Sequence, residues 1–151
     1  MDLRSALPLL LPKAVTWAEE EALRVATSGR VLTAEEMALA RKVGVIKPEP
    51  IRIQSCSHLP MPQDPSLHEA AVQTGLLGPG MAGLTLGYSV FVCHGQETRR
   101  LLAHEFRHVH QYEQSGSIEK FLPVYLQQIV TVGYGNAPFE IDARAHESVA
   151  S

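Results

Sequence analysis

Between residues 97 and 114 the apolar positions recur at helical intervals. Leu102, Phe106 and Val109 form a stripe at i, i+4 and i+7, which predicts a helix with one face in a core. Upstream, Thr16-x-x-Glu19 and Thr33-x-x-Glu36 have the form of capping boxes. They predict two short opening helices, the first ending near Gly29 and the second near Gly44. A strand is expected at Ile51–Cys56, followed by a Pro-rich loop and a short helix in "SLHEAAVQTG". Leu84, Leu86, Val90 and Val92 share one parity around Gly87–Tyr88, so that stretch is either a hairpin or one long kinked strand. Ser117 can cap a helix to about Val132 that contains Pro123, and Asn136 with Pro138 can start a last one to about Val149. Helices, a few strands, then three helices make an α+β fold with a small antiparallel sheet packed on helices. Residues 1–49 read as an N-terminal helical segment and residues 50–151 as the main unit.

Composition narrows the function classes. A chain of 151 residues, 45% hydrophobic and 19% charged, can bury one core. A net charge of −3 gives no footprint for nucleic acid. The apolar run at Leu7–Leu11 is broken by Pro8 and Pro12 and is too short for a membrane span, although a membrane-surface role for it stays open. Asp2 stands where an export signal needs positive charge, which points to the cytoplasm. Cys56 and Cys93 read as two reduced, largely buried thiols, with a single bridge between them left open.

The chemistry sits on the helix of residues 97–114, in "HEFRHVHQYEQ". At about 100° per residue, His104 and His108 lie one turn apart on one face and can reach a single metal ion. Glu105 falls at the edge of that face, too far round to be a ligand and well placed to accept a proton from water. His68-Glu69 and His146-Glu147 begin the same pattern, but Val72 and Ala150 stand where a second histidine is needed, so both read as surface pairs. Arg100, Arg107, His110 and Gln114 form the face expected to meet water.

A catalytic zinc takes three protein ligands and leaves a fourth position for water. His110 points away from His108, and Cys93 and His94 are outside candidates. Glu140 is the preferred third ligand, because it lies in the first turns of the last helix with the small Ala143 on its face. Asp142 is the reserve; it points about 200° away from Glu140, so both cannot serve one ion. Glu147 shares the face of Glu140 two turns on.

Residues of about 50–147 resemble the minimal zincin domains, of the gluzincin type, found in bacterial proteins. The resemblance rests on "GLTLGYSVFV", "LLAHEFRHVHQYEQSGSIEKFLPVYL" and "YGNAPFEIDA". It implies zinc bound by His104, His108 and Glu140, with Glu105 as catalytic base of a peptide-bond hydrolase. Residues 1–49 have no counterpart in it. Tyr134 and Tyr125 are candidate donors to the oxyanion of such a reaction, and the strand around Val90–Cys93 is a candidate edge for an extended peptide or protein substrate. Two rival readings remain: a non-catalytic zinc-binding interaction module, and a helix whose histidines hold no metal.

Overall fold

The computed structural model describes residues 2–150. The chain runs through α1 (Leu3–Ser28), β1 (Arg30–Val31), α2 (Ala34–Lys42), β2 (Arg52–Cys56), α3 (Pro65–Thr74), β3 (Gly83–Leu86), β4 (Ser89–Cys93), α4 (Arg99–Ser115), α5 (Ile118–Val132) and α6 (Pro138–Ala145). Short 3₁₀ turns at Tyr134–Asn136 and Glu147–Ala150 flank α6. The architecture is α+β. Among the described residues no helix is long and apolar enough to cross a membrane.

The opening helix differs from expectation. Instead of starting at Thr16, α1 starts at Asp2, whose carboxylate accepts a hydrogen bond from Arg4 N at 3.2 Å, and runs unbroken through Pro8 and Pro12. Each internal proline costs about 3 kcal/mol. Leu7, Leu10, Ala14, Ala18 and Val25 offset this by burying one continuous face. That face runs past Thr16, so a local cap there would have to interrupt it. The second capping box does form, with Thr33 and Glu36 each bonded to the other's backbone.

The sheet order is β1-β2-β4-β3. It is mixed, whereas an antiparallel sheet was expected, because β2 and β4 run parallel. The crossover between them carries α3. The two-residue strand β1, which the sequence pattern does not announce, pairs antiparallel with β2. Gly87–Tyr88 closes a true hairpin, and Gly87 at φ 66° takes the first central position, where a type II′ turn wants glycine.

This pairing decides which side chains meet the helices. Leu86 faces Ser89 and Thr85 faces Val90, so the parity of Leu84 and Leu86 changes face at the turn. Leu86 and Phe91 join the core formed with α1 and α5, through residues such as Val25, Phe121 and Ile129. Ile53, Val90 and Val92 join the other core, with α2 and with Leu102, Phe106 and Val109 of α4. Gly83 and Thr85 share that second face and look at α4. Residues 1–49 contribute to both cores, through Ala18 and Val25 on one side and Leu39 and Val43 on the other.

The last helix is also shorter than expected. It stops at Ala145, and its N-cap is Ala137, with no capping side chain of its own. Gln128 of α5 does that work instead, accepting from Phe139 N at 3.0 Å.

Candidate metal centre

Helix α4 presents His104, Glu105 and His108 inward, and all three are buried. Its expected watery face is partly covered. Arg100 and Gln114 are exposed, but Arg107 donates to Val43 O at 2.7 Å and to Asp142 at 2.8 Å, and His110 Nδ1 lies 2.9 Å from Gly44 O. These side chains satisfy carbonyls at the C-terminal end of α2, which packs there.

Helix α6 returns to α4 with Ala143 fully buried in the contact, and this brings Glu140 over the histidine pair. Glu140 Oε1 lies 3.2 Å from His104 Nε2, and Oε2 lies 2.8 Å from His108 Nε2. Ligand atoms of His104, His108 and Glu140 all fall within 4.8 Å of one another. Zinc bonds of about 2.0–2.2 Å place donor atoms roughly 3–3.5 Å apart, so this set has nearly the required spacing.

The reserve ligand is elsewhere. Asp142 accepts from Arg107 and from Gln111 Nε2, the latter at 2.9 Å. Cys93 packs on the opposite face of the sheet, and His94 is exposed.

Each imidazole is held from behind. His108 Nδ1 lies 2.7 Å from Gln111 Oε1, and the Gln111 amide is itself fixed by Phe139 O and Asp142. His104 Nδ1 lies 2.8 Å from Glu147 Oε2. An acceptor on Nδ1 keeps the proton there and leaves the Nε2 lone pair for a metal. Tyr125 donates to Glu140 Oε2 at 2.7 Å. The sequence pattern assigned Glu147 to a surface pair and gave Gln111 no role. Gln111 stands one turn beyond His108 and was readable from that spacing. Glu147 reaches His104 only because α6 ends early and the chain turns.

Glu105 is backed by β3. Thr85 Oγ1 donates to Glu105 Oε1 at 2.8 Å. A Cβ on Gly83 would lie 2.9 Å from Glu105 Oε2, so only glycine leaves room for the carboxylate. Gly83→Ala should therefore displace Glu105 while leaving His104, His108 and Glu140 in place. If Glu105 is a catalytic base beside a bound metal, the expected result is unchanged metal content with at least a tenfold lower turnover.

Burial raises the Glu105 carboxyl above its ordinary range, against the pull of His108, His104 and Thr85. Burial also disfavours the charged imidazole of His104, but the bond to Glu140, the charges of Glu105 and Glu140, and the bond to Glu147 outweigh it and raise the group to about 9. Burial opposes ionisation of Glu140 too, yet its bonds to His104 and His108 hold it well below the usual carboxylate range. Tyr134 lines an open cleft of ≈320 Å³ with His104, Glu105 and Arg100. Burial and then the Glu140 charge keep its hydroxyl protonated, so it has a proton to donate.

A pH dependence follows for the metal-free protein. His104 is raised from 6.5 to about 9 on folding. Its stabilising contribution is complete below the lower value and is lost as pH climbs through the upper one. A metal ion held by His104 would need the neutral ring, so binding would expel that proton, and affinity would rise by up to about tenfold per pH unit across the same window. Melting curves with chelator and with zinc test both statements. The chelated protein should melt lower as pH rises, and the increment given by zinc should grow.

No protein-family model matches the chain, and no curated protein or solved structure matches it either. The functional reading therefore rests on the chain's own residues.

Proposed function

We propose that the protein is a zinc-dependent hydrolase of peptide bonds. The observation that carries this reading is the meeting of His104, His108 and Glu140 beside a buried Glu105. Four ionisable groups in a small core cost several kcal/mol each to desolvate. Apolar residues of similar volume would serve stability as well or better, so a chemical role is the economical explanation.

When bound to these three ligands, zinc supplies Lewis acidity that lets water ionise near neutral pH and polarises a carbonyl. The chain's residues do the rest. Glu105 Oε1 is tied to Thr85, which leaves Oε2 to take the proton of the attacking water and pass it to the leaving amine. A chamber of ≈20 Å³ lined by Gly83, Thr85, Glu105, His108, Tyr134 and Glu140 has room for about one water molecule. Tyr134 is the proposed donor to the oxyanion. Tyr125 suits that task less well, because it donates to Glu140 Oε2 at 2.7 Å and does not line the cleft that Tyr134 shares with His104 and Glu105.

The strand edge lies on β3, not at Val90–Cys93, since β4 is paired on both sides. The bond from Cys93 N to Ala82 O sets the phase, so the polar groups of Gly83 and Thr85 point to the open side. Tyr112 already donates to Thr85 O at 3.2 Å. An extended peptide substrate would pair at Gly83, beside Glu105.

The near-complete burial of Glu140, only 1% exposed, favours the rival reading of a non-catalytic zinc-binding interaction module. The test is cleavage of a peptide library by the zinc-loaded protein. Cleavage that chelator abolishes and zinc restores supports the hydrolase; full zinc occupancy with no cleaved peptide supports the module.

A further inference from the structure

The chain has two cysteines, and they stand opposite each other. Cys56 is the last residue of β2 and Cys93 the last of β4, and the parallel register pairs them directly. Paired residues of neighbouring strands point to the same face, and both side chains pack on the core that also takes Met61 and Met81. Adjacent strands lie about 4.7–4.9 Å apart, within the roughly 4.4–6.8 Å between Cα atoms that a disulfide spans.

A strand residue has at most two directly opposed partners, so this placement of the only two thiols among 151 residues is unlike chance. The contacts from Cys56 Sγ to Val92 O at 3.6 Å and from Cys93 Sγ to Met81 O at 3.7 Å are long and weak. Both residues are half-buried and unbridged.

We propose that Cys56 and Cys93 are a modification site: a thiol pair that a low-molecular-weight disulfide converts to an intramolecular disulfide tying β2 to β4. One sulfur, as thiolate, attacks glutathione disulfide, forms a mixed disulfide and expels one glutathione thiolate. The second sulfur then attacks the protein sulfur of that mixed disulfide, forms the Cys56–Cys93 bond and expels the second glutathione. Two protein thiols are oxidised, one glutathione disulfide is reduced to two thiols, and the two protons pass to the departing thiolates.

Burial and the neighbouring sulfur raise the Cys56 thiol to about 11, which makes the reaction slow and suits a structural bond better than a rapid sensor. The bond also bears on the cleft. Cys93 N donates to Ala82 O at 2.9 Å, and Met81, Ala82 and Gly83 form a wall of the cleft beside Glu105. The bridge would fix the strand from which that wall hangs. This inference does not depend on the hydrolase reading.

The experiment is exposure of the full chain to glutathione disulfide under native conditions, followed by intact mass and peptide mapping. The expected product is a monomer lighter by two hydrogen atoms, with the peptides of Cys56 and Cys93 linked. Its melting temperature should rise by roughly 5–10 °C and fall back on reduction with dithiothreitol. Cys93→Ser should take up one glutathione at most and show no such rise. Two glutathione adducts on the wild type, a disulfide-linked dimer, or two thiols unreacted after prolonged exposure would each overturn the proposal.

Discussion

Glu105→Gln should bind zinc as the wild type does and hydrolyse peptides about a hundredfold to ten-thousandfold more slowly. The substitution keeps the shape and keeps an acceptor for Thr85 Oγ1, so the local packing survives. What it removes is the second carboxylate oxygen as a base. General base catalysis by a positioned carboxylate is worth about 10²–10⁴ in rate, and an amide has no basicity to replace it. If Glu105 acts as the proposed base on the attacking water, the loss should fall on kcat and not on KM. The check is kcat and KM for one cleaved peptide, with zinc content measured on the same samples. Undiminished turnover in a zinc-loaded Glu105→Gln variant would remove Glu105 from the mechanism and leave the metal site untouched.

Glu140→Gln should cost the protein its metal. Structural zinc binds with roughly 10–16 kcal/mol in total, so one of three ligands accounts for about 3–5 kcal/mol, or a loss of affinity near a thousandfold. The variant also removes the counter-charge of both imidazoles. His104, held at about 9 largely by its contact with Glu140, should then titrate far lower, and the acid-favoured stability of the metal-free protein should shrink with it. Competition with a chromophoric chelator measures the affinity, and melting against pH measures the second effect. A Glu140→Gln protein that holds zinc as tightly as the wild type would mean that another group completes the site.

The readable parts of this chain were those in which local sequence and tertiary demand agree. The amphipathic stripe of α4 and the spacing of His104, Glu105 and His108 lie within one helix, so helical geometry alone carries them. Glu140 required a guess about packing between α4 and α6, helped by the small Ala143. What local pattern missed was decided at a distance. Thr16 carries a cap signature but lies within a helix because a buried face runs through it. Asn136 looks like a cap but lies in a 3₁₀ turn, because Gln128 from another helix caps α6. β1 is too short to have a pattern, and the parallel pairing of β2 with β4 depends on a crossover that strand composition does not encode. The supports of the site, Glu147 behind His104 and Thr85 behind Glu105, come from segments whose position is set only once the chain has folded.

The most direct test of the central claim is an anomalous difference map at the zinc absorption edge, from crystals grown with zinc. One peak is expected, within about 2.0–2.2 Å of His104 Nε2, His108 Nε2 and a carboxylate oxygen of Glu140. Fully occupied zinc bound elsewhere, or no peak between those three side chains at saturating zinc, would contradict it.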